Sequence, residues 1–174
     1  MTVSESVDPR ALRAVCSHFV TGVTVITSGS GATAAGTTVN SFTSVSLDPP
    51  LVLFCLHRQS RLGPVLAGCG MFVVNFLTAH QQRLAWAFAG RGNLTVQEVA
   101  QRHSAGGVPI IGESVAFLAC RVANEVDGGD HVIVIGEVTE LGIAGHGRDP
   151  LIFFRGAMGA LEDGPPPTYP IIDG

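Results

Sequence analysis

Residues 36–52, GTTVNSFTSVSLDPPLV, decide the fold, because they combine strand-forming residues with a high density of small polar side chains. Thr and Val favour extended backbone, and the Asp-Pro-Pro at 48–50 breaks the run before a continuous apolar stretch predicted as a strand over residues 51–57. The hydroxyls, one carboxamide and the backbone N–H groups can bind a flat polar heterocycle and its phosphate tail without a fixed charge. A Thr/Ser-rich edge strand explains the same composition, and the residues alone leave both interpretations open.

The sequence before this stretch predicts a helix followed by a hairpin. Asp8 followed by Pro9 is typical of an N-cap with proline at the first helical position, and apolar residues then recur at helical spacing until Gly22. A β-branched run over residues 23–27, a glycine-serine turn over 28–31 and an extended run over 32–41 indicate two antiparallel strands.

The sequence after it continues with short alternating elements. A helix is expected over residues 60–67 with Ser60 as its cap, and another over 80–88 that ends at Gly90. Strands are expected over 71–77, 114–125, 131–141 and 151–155, with the second and third of these joined by the hairpin signal DGGD at 127–130. The polar segment 91–107 is ambiguous, and the proline-rich residues 165–170 are expected to be irregular.

Six or seven strands with only short helices between them predict an all-β-dominated fold, a closed β-barrel rather than a doubly wound parallel sheet. The 174 residues fit one domain, with the barrel over about residues 10–160 and a tail over 161–174.

Composition excludes several functional classes. Hydrophobic residues make up 46% of the chain and charged residues 14%, so disorder is excluded and burial must be extensive. Residues 14–47 and 62–82 contain no Asp, Glu, Lys or Arg, but they have too many Gly, Ser, Thr and Pro residues for membrane spans. A net charge of −4 without clustered Arg argues against nucleic-acid binding. The beginning MTVSESVDPR lacks the pattern of a signal peptide, so a cytoplasmic protein is expected.

No metal site is expected from the sequence. The four cysteines, Cys16, Cys55, Cys69 and Cys120, form no CxxC pair and no zinc-ligand spacing, and the histidines form no HxH or HExxH pattern. We therefore interpret the cysteines as reduced thiols.

One motif suggests a different nucleotide-binding fold. Residues 29–34, GSGATA, match the GxGxxA dinucleotide fingerprint, but that fingerprint requires a helix to begin inside it, and TTVNSFTSVS follows instead. A hairpin turn is the better interpretation.

Several motifs taken together resemble one protein family. The run at 36–52, with FCLHRQSR at 54–61, FVVNFL at 72–77, FAG at 88–90, GDH at 129–131 and PLIFFRG at 150–156, resembles the flavin reductase-like family. Its members include the reductase components of two-component flavin-dependent monooxygenases. The resemblance extends from about Phe19 to Gly156. It implies an FMN-binding split barrel of the Greek-key type that binds FMN or FAD, generally as a homodimer.

The resemblance also implies a set of site residues. The flavin-binding residues would be Thr37, Thr38, Val39, Asn40, Ser41, Ser44, Cys55, Leu56, His57, Ser60, Arg61, Phe88, Ala89 and Gly90. Ser60, Arg61 and the first N–H groups of the following helix would bind the flavin phosphate. His131 would be the catalytic residue, near the reactive face of the flavin and the nicotinamide. Without the family, a surface charge is the better interpretation of Arg61 and a structural histidine that of His131, whereas Ala89 and Gly90 are equally well explained as an ordinary helix end.

The expected activity is that of an NAD(P)H-dependent flavin reductase. Hydride would pass from NADH or NADPH to FAD or FMN, and reduced flavin would go to a separate oxygenase component. The alternatives are a flavin- or haem-binding carrier or sensor without turnover, and a purely structural dimer module.

Overall fold

The computed structural model describes residues 7–144 and 148–161. The predicted irregular segment 165–170 lies outside these residues. Within the described part of the chain, no helix is both long and apolar enough to cross a membrane.

The secondary structure consists of many short elements. The helices are α1 (Pro9–Cys16), α2 (Leu62–Cys69), α3 (Gln82–Trp86) and α4 (Val96–Val99). The strands are β1 (Thr21–Gly22), β2 (Thr24–Ser28), β3 (Ala35–Val39), β4 (Thr43–Leu47), β5 (Pro50–His57), β6 (Met71–Phe76), β7 (Ala100–His103), β8 (Pro109–Ile111), β9 (Ala116–Gly128), β10 (His131–Ile143), β11 (Leu151–Phe154) and β12 (Ala157–Ala160).

Seven strands form one antiparallel sheet in the order β3-β2-β6-β9-β10-β5-β4. The hairpin β9–β10 lies between β5 and β6, which follow each other in the chain, so the sheet is not a simple meander. This interleaving gives the barrel its Greek-key character. Two smaller sheets, β1-β11-β12 and β7-β8, complete the architecture.

The main sheet curls around one of three clusters of buried apolar residues. Ile26 of β2, Phe54 of β5 and Val134 of β10 belong to one buried cluster, although β2 and β5 are four strands apart in the sheet. Leu62 and Leu66 of α2 pack into the same cluster. The barrel is therefore filled by side chains, and α2 covers part of it.

Asn75 links the barrel to the β7-β8 sheet. Its side chain is fully buried, donates to the Val25 carbonyl at 2.9 Å and to Thr27 Oγ1 at 3.2 Å, and accepts from the Ile111 N–H at 2.8 Å. A buried carboxamide with all of these partners fixes the position of β8 against β2.

Most predicted elements are present, with shifted ends. The first helix has the expected Asp8 cap but ends at Cys16 rather than continuing to Gly22. The helix predicted from Ser60 begins at Leu62, and Ser60 Oγ accepts from the Leu62 N–H at 3.3 Å. Three strands that the sequence did not predict, β1, β7 and β12, are only two to four residues long.

The first helix is amphipathic, as predicted, but its apolar face is exposed to solvent. The exposed fractions are 55% for Leu12, 72% for Val15 and 77% for Phe19, just after the helix. No residue of α1 is buried. The apolar face therefore does not contribute to the core of this chain.

Candidate functional site: a two-part cleft at the open end of the barrel

Two adjoining cavities lie where β3, β5 and β10 meet the segment after α3. The larger has a volume of about 900 Å³ and the smaller about 200 Å³. Thr37, Thr38, His57 and Ser60 line both. We call the pair the cleft.

All of the site residues implied by the sequence except Ser44 line this cleft. The larger cavity is lined by Arg61, Phe88, Ala89 and Gly90, and the smaller one by Val39, Asn40, Ser41, Cys55, Leu56 and His131, in addition to the four shared residues. Ser44 lies on β4, where it is exposed and pairs with Val52 of β5. The structure thus brings together residues that are up to 94 positions apart, from Thr37 to His131.

The strand β3 and the loop after it form one wall, held by side-chain hydroxyls. Thr38 Oγ1 donates to the Ala85 carbonyl of α3 at 2.7 Å. Ser41 Oγ accepts from the Cys55 N–H at 2.9 Å and donates to the Cys55 carbonyl at 3.2 Å. Because both hydroxyl protons are used within the protein, these side chains can offer a ligand only an acceptor lone pair.

A potential anion site lies where β5 ends and α2 begins. Arg61 is the N-terminal capping position of α2 and is exposed, while Ser60 is half-buried and lines both cavities. The first N–H groups of α2 are already used, because Leu62 donates to Ser60 Oγ at 3.3 Å and Gly63 to the Ser60 carbonyl at 3.1 Å, and Pro64 has none. No Asp or Glu is among the described residues that line the cleft, so its only formal charge is the Arg61 guanidinium and any charge on its histidines.

The two histidines of the cleft form a cross-strand pair. His131 of β10 lies directly opposite His57 of β5, and the ring centroids are 5.1 Å apart in an edge-to-face arrangement. His131 Nδ1 bonds Asp130 Oδ1 at 2.7 Å, and this bond with the nearby imidazole lowers the pKa of the Asp130 carboxyl. His57 Nδ1 accepts from the Gln59 N–H at 3.1 Å.

These bonds determine what each imidazole can offer a ligand. A carboxylate on Nδ1 favours Nδ1–H in His131, so that the Nε2 of the neutral ring is an acceptor. A backbone donor on Nδ1 favours Nε2–H in His57, so that its Nε2 is a donor. When both rings are neutral, His131 Nε2 therefore offers an acceptor and His57 Nε2 a donor to the smaller cavity.

Arg58 holds the two histidine-bearing strands in register, and sequence reasoning did not identify it. Its Nε donates to the Gly129 carbonyl at 2.8 Å, its guanidinium pairs with Asp127 at 2.5 Å, and its backbone N–H donates to the Asp130 carbonyl at 3.1 Å. The end of β5 is therefore tied to the β9–β10 turn that carries Asp130 and His131.

Phe88 packs on β3 and also lines the larger cavity. A Cβ built on Gly36 would lie 3.1 Å from Phe88 Cδ1 and 3.3 Å from Val96 Cγ2, so only glycine allows this close approach without displacement. Within the turn Ala87–Arg91, Gly90 has φ of +87°. This is the left-handed conformation expected where a helix stops.

The segment 92–97 completes the larger cavity and was not predicted from the sequence. Asn93, Leu94 and Thr95 line it, and Gln97 Nε2 donates to the Gly31 carbonyl on the other side. Thr95 and Glu98 form a capping box at the start of α4. The spacing TxxE is recognisable in sequence and is the signal that could have located this wall.

The fold and the cleft define a class of protein. A filled Greek-key barrel carries a two-part cleft lined by both polar and apolar groups, with one arginine at a helix end and no carboxylate among the described lining residues. The volume of the larger cavity is in the range of small-molecule sites, and the groups of the cleft fit a planar heterocycle with a phosphorylated tail. The class is a nucleotide-type cofactor-binding barrel.

Comparison with known proteins identifies the family. Residues 16–162 match the family described as "Flavin reductase like domain". The chain therefore belongs to the flavin reductase-like family.

Relatives of known name align with this chain over most of their own length. The chain is 38% identical over 161 residues to the "Flavin-dependent monooxygenase, reductase subunit HsaB" of Mycobacterium tuberculosis (strain CDC 1551 / Oshkosh), covering 92% of this chain and 86% of that protein. It is 39% identical over 153 residues to "FMN reductase (NADH) SmoA" of Agrobacterium fabrum, covering 88% of this chain and 86% of the relative. The structure of "Streptomyces globisporus C-1027 NADH:FAD oxidoreductase SgcE6" superposes with a TM-score of 0.81 at 35% identity, covering 93% of this chain and 100% of that one. The fold is thus the split barrel that the family resemblance implied.

Proposed function

We propose that this protein is an NAD(P)H-dependent flavin reductase that binds FMN or FAD in the cleft and supplies reduced flavin to a separate oxygenase component. The observation that carries the proposal is the convergence of the residues around positions 37–41, 55–61, 88–90 and 131 on one cleft. The relatives named as a monooxygenase reductase subunit, an NADH-dependent FMN reductase and an NADH:FAD oxidoreductase support the same activity. The enzyme class that we propose for it is that of the NAD(P)H:flavin oxidoreductases.

In this proposal, the protein mainly positions two planar rings. Arg61 and Ser60 bind the flavin phosphate, while β3 and the loop to Ser41 line the ring and ribityl chain. When bound, the flavin supplies the hydride acceptor, so the protein needs no nucleophile or metal for the chemistry. Phe88 supplies apolar surface in the cleft, and holding the two reactants together lowers the entropic part of the barrier.

His131 is the proposed catalytic residue, positioned by Asp130. The Asp130 carboxylate holds the ring through Nδ1 at 2.7 Å, which leaves Nε2 for the ligand. His57 beside it supplies the complementary donor. Together they orient the carboxamide-like edges of the bound rings, which carry both donors and acceptors.

The rival function is a flavin carrier or sensor without turnover. A carrier would hold one tightly bound cofactor and would not consume NAD(P)H steadily when free flavin is in excess. The relatives named as reductases favour the enzyme.

The phosphate site is tested by comparing FMN with riboflavin, which lacks the phosphate. Arg61→Gln is expected to weaken FMN binding about tenfold, because it removes a charge-assisted hydrogen bond, and to leave riboflavin binding unchanged. Fluorescence titration of each flavin measures both constants. Arg83→Gln, on the exposed face of α3 and outside the cleft, is the matched control. Equal effects on FMN and riboflavin would contradict the assignment of Arg61.

We further propose that the protein is a homodimer, as the family resemblance implies, and that it works in the cytoplasm. The exposed apolar face of α1 supports the dimer, because an unburied face of this kind on a soluble helix usually contacts a partner. A second copy that packs on Leu12 and Val15 would bury it.

A further inference from the structure

Three bonds from a single residue hold the two-residue loop between β9 and β10. The loop consists of Gly129 and Asp130. Both of their carbonyls accept from Arg58, that of Gly129 from Nε at 2.8 Å and that of Asp130 from the backbone N–H at 3.1 Å. The same guanidinium pairs with Asp127, near the end of β9, at 2.5 Å. We call these three bonds the loop clamp.

The loop clamp restrains a segment that has little rigidity of its own. Gly128 and Gly129 are adjacent, and Gly129 has φ of +73°, a left-handed value that tight hairpins often require. Glycine has more backbone freedom than any other residue, so two glycines in a row do not fix a loop. The position of the loop relative to β5 therefore depends in part on Arg58, which directly follows β5.

The loop carries the residue that orients the proposed catalytic histidine. Asp130 Oδ1 bonds His131 Nδ1 at 2.7 Å. The His131 ring faces that of His57, which precedes Arg58 in the chain, with the ring centroids 5.1 Å apart. Arg58 is thus bonded to the residue that orients one histidine and is the chain neighbour of the other. A shift of the loop would turn the His131 ring and change the direction of its Nε2.

Arg58 can affect the cleft only through other residues. Neither Arg58 nor Asp127 lines the cleft, and their side chains are 44% and 90% exposed. An ion pair as exposed as this contributes little to the free energy of unfolding. The lowered pKa of the Asp130 carboxyl comes from the hydrogen bond and charge of His131 and, to a smaller extent, from the charge of His57, rather than from the Arg58 guanidinium. Arg58 therefore acts on the histidines by holding the loop in place.

We propose that Arg58 is a positioning residue of the reductase, and that the loop clamp keeps the His131 ring opposite His57 in the cleft. The planar guanidinium suits this role, because two of its nitrogens donate in different directions, to a carbonyl and to a carboxylate. A lysine has one nitrogen at this end and cannot reproduce both bonds with the same geometry. The inference rests on the proposed function, since hydride transfer is the reaction that the two histidines serve.

Steady-state kinetics separate positioning from flavin binding. Arg58→Ala is expected to lower kcat for FMN reduction by NADH about tenfold, because a small misplacement at the reacting centre has a large effect on rate. The Kd for FMN should change less than about twofold, since Arg61 and Ser60 are untouched. Arg58→Lys should recover part of the rate. Arg121→Ala is the matched control, because it breaks an exposed ion pair with Glu137 between the same two strands, and it should behave as the wild type.

Nuclear magnetic resonance provides a readout that a loss of stability would not move. The pKa of the Asp130 carboxyl, followed by the shift of its carboxyl carbon, lies below its ordinary value in the wild type. In Arg58→Ala this pKa should rise toward the ordinary value as the bond to His131 is lost, and nuclear Overhauser contacts between the two imidazole rings should weaken. Asp127→Ala removes only the ion pair of the loop clamp and should give a smaller change in the same direction.

Three results would overturn the inference. A kcat within twofold of the wild type in both Arg58→Ala and Asp127→Ala would show that His131 does not need the loop clamp. Equal losses in Arg58→Ala and the control Arg121→Ala would assign the effect to the stability of the hairpin. A lower kcat with an unchanged Asp130 pKa and unchanged ring contacts would mean that Arg58 acts by another route. If the wild type itself reduces no flavin, the proposed function fails instead, and the resonance measurements still decide whether Arg58 positions the histidines.

Discussion

At the scale of single residues, the site depends on close contacts that a propensity analysis does not detect. Gly36 shows this most clearly. The sequence places it at the start of a Thr-rich strand, but the reason for the glycine is the ring of Phe88, whose Cδ1 would be 3.1 Å from a Cβ at that position. Phe88 is 52 positions away, so the contact depends on the tertiary fold.

Replacing Gly36 should therefore damage both stability and binding. Gly36→Ala is expected to destabilise the protein by about 1–3 kcal/mol and to weaken flavin affinity, because Phe88 must move away from β3. Thermal unfolding and flavin titration measure the two effects. Gly159→Ala is the matched control, since nothing lies within 4 Å of a Cβ built at Gly159. A Gly36→Ala protein as stable as this control would show that Phe88 adjusts without cost.

The pairing of the two histidines was also only partly predictable. The family resemblance implied His131 as catalytic and His57 as cofactor-binding, but gave no relation between them. The register of β5 against β10, paired from His131–His57 to Glu137–Leu51, makes them direct neighbours, and Arg58 ties the end of β5 to the turn before His131. Cross-strand register depends on long-range pairing, which the local sequence does not encode.

At the scale of elements, local signals predicted the hairpins, whereas their arrangement required the whole fold. The DGGD turn and the alternating strands on either side predicted β9–β10, and the Gly-Ser turn predicted β2–β3. The insertion of β9–β10 between β5 and β6 has no local signal. The wall at residues 92–97 was missed because its single helical turn, Val96–Val99, is too short for a periodic pattern.

The capping box of α4 gives this wall a dependence on pH. Glu98 accepts from the Thr95 N–H and from Thr95 Oγ1, each at 2.7 Å, and these bonds lower the pKa of the Glu98 carboxyl below its ordinary value. A group with a lowered folded pKa stabilises the folded state above its unfolded pKa, and this contribution is lost as the pH falls through the folded value. We expect the start of α4 to fray on acidification below about pH 4.

Nuclear magnetic resonance can follow this transition at one amide. The Thr95 N–H shift should titrate with a midpoint below the ordinary glutamate value of about 4.3, and amide exchange across α4 should accelerate as it does so. In Glu98→Gln the cap is retained without an ionisable group, so the titration should disappear. A midpoint at or above the ordinary value would mean that the capping bonds are not formed in solution.

At the scale of the whole molecule, the low charge content has a clear structural outcome. The uncharged stretch before Asp48 contains the hairpin β2–β3 and the polar wall of the cleft, and the buried apolar residues form three clusters, one of which fills the barrel. The first helix differs, because its amphipathic pattern was predicted correctly but its apolar face is turned away from the core. Sequence periodicity shows that a helix has an apolar face, but not whether its own chain covers it.

A dimer that buries this face should be disrupted by polar substitutions on α1. Leu12→Gln with Val15→Gln is expected to shift the light-scattering mass toward the monomer or to lower thermal stability at low concentration, since the partner then covers less apolar area. Val126→Gln, an exposed apolar position on β9, is the control. A wild-type protein that is monomeric at micromolar concentration would contradict the dimer.

The central claim is that the protein transfers hydride from a pyridine nucleotide to a flavin that binds in the cleft. Its most direct test is to mix catalytic amounts of the protein anaerobically with NADH or NADPH and with excess FMN or FAD, and to follow the visible absorbance of oxidised flavin. The account predicts loss of that absorbance over many turnovers, on the order of 10 per second, matched by equimolar oxidation of the nucleotide. Flavin that stays oxidised at the uncatalysed rate in all four combinations would contradict it.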